Sequence, residues 1–154
     1  MARTPLTSLL ILLVGCNTSP HDNSGTSAKA LFEQSVALHQ EHEFSSAAAG
    51  YERLLKTYRD QPYWCAQALR SLGSIRAAQG KLDAAVKLYR QVGEEYPQQD
   101  WEVLQAWKSA GDLLWDAGRK DEARVFYQQI VERFDRPDAP AVVISVVRAA
   151  QKRT

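Results

Sequence analysis

One interval governs this sequence. Ala47, Ala85 and Ala123 lie 38 residues apart, and so do Tyr51, Tyr89 and Tyr127; Leu54, Val92 and Ile130; and Tyr58, Tyr96 and Phe134. Upstream, Leu31, Leu69 and Trp107 keep the same spacing, as do Ser35, Gly73 and Gly111. Six columns of like chemistry at one period mean one structural unit used three times. A unit this short cannot bury its apolar face alone and must stack on its neighbours, which gives a stack of like units with a shared core.

Inside each unit the apolar spacing is helical. In the second, Ala68, Leu69, Leu72 and Ile75 share one face; Gly80 interrupts; then Leu82, Ala85, Val86, Tyr89 and Val92 share the next. Gly80 and Gly118 suit the left-handed residue that closes a helix, and Asp83 and Asp121 suit the N-cap of the helix that follows. His42 and Ser45 take those slots in the first unit. The small residues Gly73, Gly111, Ala85 and Ala123 predict close approach of the two helices of a hairpin. The tyrosines at 51, 89 and 127 are expected to fill the gap between one hairpin and the next. Asp138 to Lys152 reads as a closing helix, capped by Asp138 with Pro140 in its first turn, and with Val143, Val146, Val147 and Ala150 on one face. Its β-branched residues also admit a strand, but a repeat stack needs a polar-backed cap on its open end.

These positions resemble the tetratricopeptide repeat, whose pattern is W-x2-L-G-x2-Y, then A-x3-F, then P. The third unit reads Trp107-x2-Ala110-Gly111-x2-Leu114, then Ala123-x3-Tyr127; the second reads Leu69-x2-Leu72-Gly73, then Ala85-x3-Tyr89 and Pro97. The first is degenerate, with Gln34 and Ser35 in the L-G slots, but it keeps Ala47-x3-Tyr51. The usual period is about 34 residues. The extra residues here fall between units, as in Tyr58 to Tyr63 and Glu95-Tyr96-Pro97. In this it is similar to the longer-loop repeats of bacterial envelope proteins, such as the Tol–Pal-associated coordinator and the lipoprotein of the β-barrel assembly machinery. The resemblance implies an all-α, right-handed α-solenoid of three helix-turn-helix units (approximately 28–62, 66–100 and 104–137) with a capping helix at 138–152, together making a repeat domain over 28–152.

It also implies where partners bind. In such arrays the first helix of each hairpin lines a concave groove. By register the groove positions are Lys29, Phe32, Val36, His39 and Gln40; then Gln67, Arg70, Ser74, Ala77 and Ala78; then Gln105, Lys108, Asp112, Trp115 and Asp116. Phe32, Gln67, Arg70, Ser74, Gln105, Lys108, Asp112 and Trp115 are the candidate partner-binding residues. The carboxylate clamp of some family members needs Asn at such slots, and none is present. Tyr63, Trp64 and Trp101 fall outside the repeat's core slots, so they either bind partners or pack over the loops between hairpins.

No catalytic, cofactor or metal site is expected. His39-Gln-Glu-His42 has a spacing that can pair imidazoles on a helix, yet it is not H-E-x-x-H, and His42 falls in the turn. Glu94-Glu95 and Asp121-Glu122 diverge around their helices and make no acid/base pair. Cys65 reads as a small packing residue, and two cysteines make no disulfide framework.

The N-terminus carries a different message. Arg3 precedes an apolar run from Leu9 to Val14, the plan of an export signal, and the run is far shorter than the ~20 residues needed to span a bilayer. Leu13-Val14-Gly15-Cys16 resembles the bacterial lipobox. That resemblance implies a signal peptide over 1–15, diacylglycerol on Cys16 and a membrane anchor of two or three acyl chains. Residues 17–27 contain no aliphatic side chain and read as a tether, so 16–27 is the expected lipidated linker. Asn17, rather than Asp, after the cysteine favours the outer membrane over the inner by the enterobacterial pattern.

Charge adds an exclusion. There are 19 Lys and Arg against 18 Asp and Glu, and the loss of Arg3 with the leader leaves 18 of each. A neutral chain has no electrostatic case for nucleic acid. The expectation is a lipid-anchored, periplasm-facing adaptor or scaffold that holds other envelope proteins or peptide segments. The alternative is a structural subunit that packs through its hairpin ends; a metal protein or enzyme is a remote third.

Overall fold

The computed structural model describes residues 27–154. The leader, Cys16 and the linker as far as Thr26 lie outside the described residues. Seven helices follow in order: α1 Ala28–Gln40, α2 Phe44–Thr57, α3 Pro62–Ala78, α4 Leu82–Glu95, α5 Asp100–Asp116, α6 Lys120–Phe134 and α7 Ala141–Gln151. Each packs mainly on the next, so three antiparallel hairpins stack in series and α7 lies on the last. The odd-numbered helices also touch one another, α1 to α3 and α3 to α5.

The turn inside each hairpin is the same device three times. His42, Gly80 and Gly118 have φ of 62°, 70° and 79°. The N–H one residue later reaches back five residues, Glu43 to Leu38, Lys81 to Arg76 and Arg119 to Leu114, while the left-handed residue donates to His39, Ala77 or Trp115. This is the Schellman closure, and it satisfies carbonyls the helix end would otherwise orphan. His42 performs it without glycine, at a steric cost that glycine avoids. The expected aspartate and serine caps are not caps. The N-cap residues are Glu43, Lys81 and Arg119, with no side-chain cap bond, and Asp83 and Asp121 sit in the first helical turn. There they favour the positive end of the helix dipole and pair with Arg119 and Arg124, respectively. Among the described residues, Ser27 alone caps with its side chain, accepting from the Ala30 amide at 3.1 Å.

Close approach within a hairpin is explained atom by atom. A Cβ on Gly73 would lie 2.6 Å from the Tyr89 ring, and one on Gly111 would lie 2.8 Å from the Tyr127 ring. Tyr89 and Tyr127 are therefore each received by the glycine of their own hairpin. The tyrosines also reach onward, Tyr51 into a cluster with Leu72 and Ile75 of the second hairpin and Tyr127 through ring and hydroxyl to Arg153. The first hairpin inverts this. Ser35 occupies the glycine column and is buried, and Gly50 across from it supplies the room, since a Cβ there would meet the Ser35 hydroxyl at 2.2 Å. Between hairpins, Gly93 makes the space for Trp107, which lies 2.6 Å from where its Cβ would be.

The core runs the length of the stack in two buried clusters. One joins Leu31, Tyr51, Leu54, Leu72 and Ile75; the other runs from Leu69 through Tyr89, Leu104, Leu114, Tyr127 and Phe134 to Val147 and Ala150. Helix α3 contributes to both, so the first hairpin is bonded to the rest through its two faces. The closing segment is a helix with Val147 and Ala150 buried, and Val143 and Val146 packed beside them. Asp138 does not cap it. Pro140, extended at ψ 147°, is the N-cap residue and the helix starts at Ala141; the proline also disfavours helical conformation at Ala139, so the helix does not run back to Asp138. By the 38-residue register the helix should begin at 138, so one turn of a fourth first-helix is missing.

Candidate functional site

The odd-numbered helices form one layer, and its contacts repeat along the register. At the first junction Phe32 of α1 meets Trp64 of α3, ring centroids 5.6 Å apart. At the second, 38 residues on, Arg70 of α3 donates through Nε to Glu102 of α5 at 2.6 Å. Glu102 is buried, at 6% side-chain exposure, while Arg70 keeps a third of its surface in water. At the third, the corresponding residues are Lys108 and Pro140, and they do not pair; Lys108 turns to Asp112 of its own helix at 2.6 Å.

The far ends of the same helices behave differently. The Asp112 carboxylate accepts from the Tyr127 hydroxyl at 2.8 Å and from Arg153, just past α7, at 2.6 Å. Burial works against this carboxylate, but hydrogen bonds from Lys108 and Tyr127 and the charges of Lys108 and Arg153 outweigh it, so its pKa falls below the usual value. Tyr127 moves the other way: burial, then Asp112, push its pKa up to about 12 although the Arg153 bond opposes them. Trp115 stands edge-on to Tyr127, with the Arg153 guanidinium 5.3 Å and the Lys120 ammonium 5.2 Å from its ring centroid.

The sequence-predicted groove therefore divides. Lys108 pairs with Asp112 of its own helix, Asp112 is bonded to Tyr127 of α6 and to Arg153, and Trp115 stands against Tyr127, Lys120 and Arg153. Arg70 is committed to Glu102. Gln67 and Gln105 are half-buried and Ser74 is exposed. In the first hairpin, Phe32, Val36 and His39 are half-buried and apolar or aromatic in their contacts, Phe32 against Tyr51 and His39 against Phe44 and Tyr51. Burial and then the neighbouring His42 lower the His39 pKa, so its neutral ring is favoured. Trp64, Glu102 and Arg153 were not among the expected groove residues. The signal was present: Trp64, Glu102 and Pro140 share one column, and Arg153 is the register equivalent of Trp115 once the period is carried into α7.

The candidates for chemistry fare plainly. Cys65 is fully buried, its sulfur 3.1 Å from the Tyr58 carbonyl oxygen, and burial pushes the thiol pKa up, away from a nucleophilic thiolate. Among the described residues no cluster of His, Cys, Asp and Glu is arranged to hold a metal ion. No described helix is long and apolar enough to cross a membrane.

A stack of antiparallel hairpins with a shared layer of first helices is the architecture of repeat proteins that bind other proteins. Residues 32–100 and 109–136 each match a family model for the tetratricopeptide repeat, and the chain belongs to that family. Among solved structures it is similar to the Sgt2 TPR domain from Aspergillus fumigatus, with a TM-score of 0.58 and 16% identity over 82% of this chain and 78% of that one. At that identity the likeness concerns the fold. No curated protein matches the sequence. Tetratricopeptide repeats point to a protein–protein interaction adaptor without catalysis.

Proposed function

We propose that this chain is a lipid-anchored adaptor of the bacterial cell envelope, facing the periplasm from the outer membrane, that holds a segment of a partner protein in the groove of its odd-numbered helices. The observation that carries the groove is its unequal halves. The end built from Lys108, Asp112 and Trp115 is engaged by Arg153 and Lys120. The end built from Phe32, Val36, His39 and Trp64 has rings and methyls half in water, the kind of surface that anchors a partner's apolar side chains. The anchor is supported by the order of basic residue, apolar run, small residue and cysteine before Cys16.

Two measurements test this reading. Mass analysis of the N-terminal peptide is expected to find Cys16 as the first residue, carrying diacylglycerol; an unmodified, uncleaved cysteine would end the anchor. Partner capture by the full chain in cells is expected to weaken severalfold with Phe32→Ala and Val36→Asp; unchanged capture would remove the groove.

A second reading rests on the outer face of the first hairpin, where Leu31, Leu38, Ala49 and Gly50 line an open crevice of about 370 Å³. A structural subunit would pack there. Its mark would be an obligate oligomer in solution that Ala49→Glu dissolves.

A further inference from the structure

Four large hydrophobic residues are conspicuously exposed among the described residues: Tyr63, Trp101, Val125 and Val142. Three of them are the second residue of an odd-numbered helix, Tyr63 of α3, Trp101 of α5 and Val142 of α7. The starts of these helices lie along one edge of the stack. Phe32 near the start of α1 meets Trp64 at the start of α3, and Trp101 lines one crevice with Pro140 and Val143 at the start of α7. That crevice, of about 300 Å³, has Leu104 and Phe134 as its apolar back wall and opens where α7 lacks its first turn. The edge thus presents a tyrosine and a tryptophan in one register column, an apolar recess beside the tryptophan, and Val142 at the start of α7.

We infer that this edge rests on the lipid surface, with Tyr63 and Trp101 seated at the level of the headgroups. The inference rests on the lipid anchor proposed above. Helix α1 also begins at this edge, so residues 17–27, which lead back to Cys16, join the stack on the same side. Eleven residues span at most about 40 Å when extended, so a lipid on Cys16 holds the start of α1 within that distance of the bilayer. Contacts too weak to bind from solution become effective when a short linker sets the local concentration. Tyrosine and tryptophan suit that depth, with an apolar ring body and a polar tip. Charge at the edge is mixed, Arg59 and Arg136 against Asp60, Asp100 and Asp138, so the contact is one of rings and needs no anionic lipid.

The test uses the full, lipidated chain in phosphatidylcholine vesicles containing brominated acyl chains, which quench tryptophan on contact. Emission is expected to be quenched, and Trp101→Phe is expected to abolish most of the quenched part. Trp115→Phe, at the other end of α5, should leave it unchanged. Vesicle-bound protein that shows no quenching, or quenching that Trp101→Phe does not alter, would overturn the inference, and the edge would then be free for a protein partner. Peptide mass analysis of the same sample separates the two failures. Lipid on Cys16 without quenching sinks the membrane-facing edge alone, whereas no lipid on Cys16 sinks both readings. Trp101 is half exposed, so its loss does not threaten the fold.

Discussion

The first and second junctions of the stack occupy equivalent positions and are held by opposite chemistry. Phe32 and Trp64 form an aromatic pair between α1 and α3; one period later Arg70 and Glu102 form an ion pair between α3 and α5. An aromatic pair loses contact area gradually when one ring is trimmed. A buried carboxylate loses everything at once when its cation goes, because the charge stays behind without solvent. The backbone asks only that two facing side chains complement each other; whether the groove above is apolar or polar follows from which pair is used.

The comparison breaks most visibly at Arg70. Arg70→Ala is expected to cost about 2–3 kcal/mol in urea unfolding, less than the ~3–5 kcal/mol of a fully buried pair because Arg70 is one-third exposed. Removing Glu102 as well should restore part of that loss. Phe32→Ala followed by Trp64→Ala should instead lose stability at each step. A loss below about 1 kcal/mol for Arg70→Ala would show that Glu102 is hydrated after all.

Glycine position gives the next largest contrast. Gly111→Ala drives a Cβ into the Tyr127 ring and is expected to cost about 1–2 kcal/mol, the overpacking term reduced by alanine's better helix propensity. Gly50→Ala should destabilise the first hairpin similarly, and Ser35→Gly should rescue it while doing nothing for Gly111→Ala. Failure of that rescue would mean that the glycine has not changed sides.

The tyrosine hydroxyls sharpen it further. Tyr127 bonds Asp112 and Arg153, so Tyr127→Phe should cost about 1–2 kcal/mol. The Tyr51 hydroxyl is fully buried with no hydrogen-bond partner in good geometry among the described residues, although Ser71 lies beside it. Tyr51→Phe should therefore leave stability unchanged or raise it slightly.

The smallest effect is in pH. The folded His39 pKa lies below its ordinary value of 6.5, so the unfolded chain takes up the proton first. This contribution is complete above pH 6.5 and declines as pH falls through the folded value. Thermal melts between pH 7 and 5 should show a loss below about 1 kcal/mol that His39→Gln removes.

Much of this was legible beforehand. The 38-residue columns located every hairpin and the left-handed turns at His42, Gly80 and Gly118, and helical spacing located the apolar face of α7. What escaped is what a periodic pattern leaves unconstrained. The helix caps failed because Asp83 and Asp121 are acidic residues near a helix start, and such residues serve the dipole as readily as the cap. The engagement of Trp115 and Asp112 was hidden because Arg153 lies beyond the last matched unit, although the register reaches it. The role of Gly50 was invisible because in other units its column holds Leu88 and Phe126, and only contact distances show a glycine that has crossed the hairpin.

The most direct test of an adaptor with an open first half is site-directed photo-cross-linking of the full chain in cells. A reactive residue would be placed at Val36 in the groove, and at Val125, which is exposed on α6. The expected result is one partner protein captured from Val36, lost with Phe32→Ala and absent from Val125. Capture from Val125 with Val36 silent, or adducts only with a second copy of this chain, would contradict it.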